Sequence, residues 1–184
     1  MKSEALKHLS RISAAVLASA LAVASTVPAS AQSDESVAPL TGTWRVKVTQ
    51  YNCATGMTLL SFWSVLSFQR GGTESETTSN PALQPGQRTP GYGFWKPARD
   101  SAFCSSDPTA DYFNATEAFI LSDSTTNPPG LKKGVQKILQ CITMRDDDNW
   151  TATAVVKFFN HDGTTSAGCA KAQGMRLSES ADQP

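Results

Sequence analysis

The 184-residue chain has only 2 histidines, His8 and His161, and a formal net charge of zero. So little histidine leaves scant material for imidazole acid–base chemistry or for histidine-rich metal sites. His161 stands beside Asp162 in "NHDG" (Asn160 to Gly163). A His–Asp pair can orient a general base, but no serine or cysteine is marked as its nucleophile, and turns favour these residue types for geometry alone. No C-x-x-C pair occurs, which weakens zinc and redox readings. The basic excess that a nucleic-acid binder uses against phosphates is missing too. Asp146-Asp147-Asp148-Asn149 lacks the ligand spacing, central glycine and closing glutamate of a calcium loop and reads as an acidic hairpin turn. These shortages lead us to expect no catalytic residue, no metal and no cofactor.

What is present begins with an export signal. Lys2, Lys7 and Arg11 precede an apolar run from Ile12 to Thr26, and Ala29 and Ala31 supply an A-x-A cleavage pattern. Cleavage after Ala31 is expected. The run is interrupted by Ser13, Ser19 and Ser25 and is short of the roughly 20 residues that span a bilayer, which disfavours a membrane anchor. Removing residues 1–31 takes away Lys2, Lys7, Arg11 and Glu4, leaving 13 basic against 15 acidic residues, a formal charge of −2. No later stretch is long and apolar enough for a membrane helix. Cys53, Cys104, Cys141 and Cys169 all follow the signal, and an even count in an exported chain reads as two disulfides. Localisation is therefore expected to be periplasmic or secreted.

The remaining chain reads as one domain over 42–178, after a flexible lead-in at 32–41 and before a flexible tail at 179–184. Trp44, Val46 and Val48 alternate with Arg45, Lys47 and Thr49 as in a half-buried strand. Leu59 to Gln69 is a second strand, and "TESETT" (Thr73 to Thr78) a polar, exposed third. Asn80 to Asp100 holds four prolines (Pro81, Pro85, Pro90, Pro97) and three glycines and is expected to be a long ordered loop. Further strands are expected at Asp111 to Leu121, Gly134 to Met144, Trp150 to Phe159 and Thr164 to about Leu177, with a turn at Asn127 to Gly130. Phe68 to Thr73 and Phe159 to Thr164 share the frame F-x-x-x-G-T, each with a glycine where a hairpin needs positive φ. The fold class is all-β, with seven or eight antiparallel strands in meander order.

Gly42-Thr43-Trp44 at the first strand resembles the G-x-W signature of lipocalins and the wider calycin group. The resemblance implies an up-and-down barrel, a tryptophan closing its base and an arginine from near the chain end across the indole. Arg176 is the candidate, and such stacking is worth about 0.5–2 kcal/mol. The lipocalin T-D-Y motif is missing, which points to a distant calycin. Avidins also begin Gly-Thr-Trp, but their polar biotin contacts have no clear matches here. If the barrel closes, its first and last strands pair antiparallel and paired residue numbers have a near-constant sum. Trp44 with Arg176 gives 220, and Cys53 with Cys169 gives 222, a difference of one bulge or stagger. Of the three possible connectivities this favours Cys53–Cys169, leaving Cys104–Cys141.

Function follows from that frame. The expected protein is a non-enzymatic carrier of a small apolar molecule. The alternative is a structural or interaction module with a filled barrel, since eight strands can be packed solid or hold one small ligand. A cyclase- or isomerase-type barrel enzyme would need convergent polar groups inside, and Gln50 is the one inward candidate on the first strand. Ligand contacts are expected from Trp63 and from Tyr92, Phe94 and Trp95 as a lid over the barrel mouth. Asn114-Ala-Thr116 and Asn149-Trp-Thr151 fit the glycosylation sequon by letter, and both are expected to be chance matches.

Overall fold

The computed structural model describes residues 38–121 and 132–178. The expected signal at 1–31, most of the lead-in, the Asn127–Gly130 turn and the tail at 179–184 lie outside the described residues. Eight strands follow one another: β1 (Gly42–Tyr51), β2 (Thr58–Phe68), β3 (Thr73–Thr78), β4 (Gly91–Pro97), β5 (Tyr112–Leu121), β6 (Lys132–Met144), β7 (Asn149–Asn160) and β8 (Thr165–Arg176). Each pairs antiparallel with the next, and β8 returns to β1, so the sheet closes as an up-and-down barrel. Closure leaves no open sheet edge for a foreign strand to join. Two 3₁₀ turns, Ala98–Asp100 and Ala102–Cys104, lie between β4 and β5.

The seam is in the expected register. Trp44 pairs directly with Arg176, and Tyr51 with Cys169, so the sum of 220 holds along the whole β1–β8 ladder. No bulge is needed. Cys53 lies in the turn beyond the end of β1 and bonds to Cys169 across a Cα–Cα distance of 5.3 Å. Cys104 bonds to Cys141 at 5.6 Å. The two F-x-x-x-G-T segments make the same turn. Gln69 N donates to Thr73 O as Asn160 N does to Thr164 O, and Gly72 N donates to Gln69 O as Gly163 N does to Asn160 O. Gly72 and Gly163 have φ of 86° and 83°, a conformation that only glycine adopts without cost.

Alternation sends the even-numbered residues of β1, β2, β3 and β5 to β8 into the barrel. At one end they form the floor: Trp44, Phe68, Ile142 and Trp150 pack with Trp95 from β4 and Leu40 from the lead-in. The lead-in is thus shorter than expected. Ala38 to Thr41 forms a hydrogen-bonded turn, Leu40 is buried, and its carbonyl accepts the Trp44 indole N–H at 2.9 Å. Arg176 lies over Trp44 with its guanidinium carbon 4.2 Å from the ring centre, and donates to the carbonyls of Thr41, Pro39 and Asp147. Gly174 is small for a reason: a Cβ there would sit 2.1 Å from Trp150 Cε2.

Two readings of local structure are corrected. Gly91 to Pro97 is a strand, not loop. Its glycines face inward at close approach, and a Cβ on Gly93 would lie 1.9 Å from Ala115 O. Pro90 and Pro97 stand just before and at the end of that strand, where a missing N–H costs no ladder bond. β3 exists as expected but is not an exposed strand, for Glu74 and Glu76 are buried inside the barrel.

Candidate functional site

The burial of two glutamates follows from register. The tight turn after Phe68 pairs Phe68 with Glu74 and Leu66 with Glu76. Phe68 and Leu66 face the core, so the glutamates opposite them must as well. Around them stand Ser64 from β2, Asn114 and Thr116 from β5, and Gln136 and Gln140 from β6, all buried. Arg88, from the 79–90 loop between β3 and β4, reaches into this cluster. Its Nη2 forms an almost fully buried ion pair with Glu76 Oε2, its Nε donates to Gln136 Oε1, and its Nη1 donates to Thr89 O at 3.2 Å. Gly91 gives the pair its room, because a Cβ there would meet Thr116 Cγ2 at 2.6 Å and Glu76 Oε2 at 2.9 Å.

A second chain of bonds joins the other carboxyl. Asn114 Nδ2 donates to Gln140 Oε1 and to Thr116 Oγ1, and Thr116 Oγ1 donates to Glu74 Oε2 at 3.0 Å. Glu74 Oε1, Asn114 Oδ1 and Thr78 Oγ1 are buried with no hydrogen-bond partner in the structure. Burial, and then the charge of Glu76, push the Glu74 carboxyl up to about 8; the Thr116 bond and Arg88 oppose this without overcoming it. Glu74 is therefore mainly protonated at neutral pH. A buried carboxyl raised in this way by burial and a neighbouring charge is the kind of group that clusters at functional sites.

Glu76, Arg88, Gln136 and Gln140 of this cluster line a cavity of about 30 Å³ in the barrel. Its other wall is apolar and small: Val46 and Val48 on β1, Ala154 and Val156 on β7, Ala170 and Ala172 on β8. The chamber has room for about two water molecules. A wider cleft of about 350 Å³ lies under the 79–90 loop at the barrel mouth. Thr78 and Arg88 line both, so the two spaces are neighbours divided by these side chains.

The residues expected from sequence fall in different places. Gln50 lines the chamber as expected. Tyr92 and Phe94 do not form a lid: they sit on the outer face of β4, 66% and 51% exposed, with Phe94 edge-on to Phe113. Trp63 is also outside, 45% exposed under Arg45. Trp95 points inward, but at the floor, packed on Phe68 and Tyr112. None of the four lines the chamber or the cleft. His161 is exposed in the β7–β8 turn, where Asp162 accepts bonds from Thr164 N and Oγ1. Asp146 similarly closes its turn by accepting from Asp148 N and Asn149 Nδ2. Asn114, in one of the two sequons, is fully buried in the barrel and out of reach of a glycosyltransferase in the folded protein.

Among the described residues, no group of three or more His, Cys, Asp or Glu side chains could hold a metal ion, and no helix is long and apolar enough to cross a membrane. The class defined here is a closed eight-stranded antiparallel barrel with two disulfides and a polar cluster buried in its interior. No protein-family model matches the chain, and no curated protein matches it.

Proposed function

We propose that this chain is an exported, non-enzymatic barrel that binds a small ligand at its mouth and in its upper interior. Gly42-Thr43-Trp44 under Arg176 further suggests kinship with the calycin group. One observation carries the binding reading: the polar side chains of Glu76, Arg88, Gln136, Gln140 and Thr78, the last with its Oγ1 unpartnered, face a wall of alanine and valine across a cavity. Packing for stability alone would favour apolar side chains there, because buried polar atoms without partners are costly. Small side chains on β7 and β8 leave the space, and Gln50, Gln136 and Gln140 offer hydrogen bonds into it. The ligand expected is thus amphipathic rather than purely apolar. Two disulfides fit an oxidising compartment, periplasmic or extracellular.

Native mass spectrometry of protein purified from its own host tests this. A retained small molecule supports the carrier. Repeated absence, together with no stabilisation by any compound of a small-molecule library, favours the second reading, a filled structural module. The small chamber volume is the observation on that side.

A further inference from the structure

We propose that Arg88 is a displaceable gate between the cleft and the chamber, and that the ligand it admits is a small organic cation, an alkylamine or alkylguanidinium. This deepens the binding reading and rests on it.

Three observations place the gate. Arg88 lines both spaces with Thr78, so withdrawing its long side chain would open the chamber toward the cleft past the smaller Thr78. The cleft alone, at about 350 Å³, is already in the range that accommodates small molecules. The backbone beneath Arg88 is fixed: Leu121 N donates to Gln87 O at 2.7 Å, Thr89 N to Phe119 O at 3.1 Å, and Phe119 N to Thr89 Oγ1 at 3.0 Å. A swing of one side chain is then enough, with no opening of the loop. The guanidinium is also held by few groups, namely Glu76, Gln136 and the Thr89 carbonyl.

Charge selects the visitor. Among the described residues, Arg88 is the one cation paired with Glu76, and none is paired with Glu74. Withdrawing Arg88 alone would leave the Glu76 carboxylate buried and unpaired, which is strongly unfavourable. An anion would add a second buried negative charge. A neutral molecule would leave the first uncompensated. A cation replaces what leaves: its head group takes the place of the guanidinium on Glu76 and Gln136. Its short chain lies along Pro81, Leu83 and Pro85 in the cleft.

The test uses the full chain with n-butylammonium and n-butylguanidinium at millimolar concentration, against n-butanol and butyrate at matched ionic strength. Melting temperature and calorimetric titration are the readouts. The wild type should be stabilised by the two cations and not by butanol or butyrate. Arg88→Ala, with the gate removed, should bind the cations at least tenfold more tightly. If Arg88→Ala does not fold alone, its rescue by the cations and not by butanol gives the same support. The double variant Arg88→Met with Glu76→Gln removes both charges, should fold, and should not respond to the cations. Equal responses to butanol and butylammonium, or cation binding that persists in the double variant, overturn the proposal. If butanol or butyrate binds the chamber while the cations do not, the gate falls and the binding reading stands. If no probe binds and nothing co-purifies from the host, both fall.

Discussion

At the barrel floor, Trp44 and Trp150 meet edge to face at 6.1 Å, Phe68 meets Trp95 at 6.3 Å and Trp150 at 6.5 Å, and Arg176 covers Trp44. Nearer the mouth, the interior holds Glu74, Glu76, Arg88, Asn114, Gln136 and Gln140, of which Glu76, Arg88, Gln136 and Gln140 line a cavity. The strands run through both regions, so backbone geometry does not distinguish them; side-chain chemistry does. Aromatic burial of this kind contributes most of a small core's stability. A buried ion pair often contributes no more than well-packed apolar side chains of the same volume would. The floor therefore carries the fold, and the mouth half is free to serve the binding proposed for it. A barrel selected for stability alone would repeat the floor's chemistry upward.

Breaking the staple that joins these regions to one seam should have the largest effect. Replacing Cys53 and Cys169 by serine removes a bridge between positions 116 apart and should cost about 5 kcal/mol on the chain-entropy model, against about 4 for Cys104 and Cys141, measured by urea unfolding. Trp44→Ala attacks the floor itself and should cost about 3–5 kcal/mol in the same assay. A loss below 1 kcal/mol would contradict the assigned role of the floor.

Glu74→Gln sharpens the contrast, because a polar substitution in the mouth half should stabilise. The folded carboxyl titrates near 8 and the unfolded one near 4.5, so the native state binds the extra proton between those values. The stability contribution of Glu74 is full below pH 4.5 and is lost as pH rises through 8. Glu74→Gln should gain about 3 kcal/mol over the wild type at pH 7 and almost nothing at pH 4. Unfolding curves at pH 4, 7 and 8.5 check this, and an equal difference at all three would refute the buried, uncharged carboxyl. Gly174→Ala forces a methyl into Trp150 and should cost about 1–3 kcal/mol by overpacking. His161→Ala, in an exposed turn, should change stability by less than about 0.5 kcal/mol, measured by thermal melting, and leave the proposed butylammonium binding unaltered in calorimetric titration.

Much of the barrel was legible because its alternation contrasts apolar with polar. β1 and β7 could be read for that reason, whereas the Trp44–Arg176 seam was implied by the resemblance of Gly42-Thr43-Trp44 to the calycin signature, and the cysteine pairing followed from the seam. The site was hidden because β3 alternates Glu with Ser and Thr, giving no apolar signal for an inner face. A usable signal did exist. The Phe68-to-Thr73 turn fixes Phe68 opposite Glu74, so extending its parity by two residues would have put both glutamates inside. The Tyr92 to Trp95 segment misled for the opposite reason. Gly91 and Gly93 suggested a loop, whereas they are inward positions where the Glu76–Arg88 pair and the Ala115 backbone, respectively, lie too close for a Cβ. Arg88 could not be assigned from pattern at all, since a loop has no periodicity to show where one side chain turns inward.

The bridge at the seam also sets how the barrel would carry a mechanical load. β1 begins and β8 ends side by side, so tension between Ala38 and Ser178 would unzip their ladder one rung at a time from Trp44 and Arg176. Peeling would stop at the covalent link from Cys53 to Cys169. From there the force passes through sulfur, and the chain between those cysteines bears none of it. A single-molecule pull should therefore release only the outer stretches of β1 and β8, with the rest of the chain extending only after reduction.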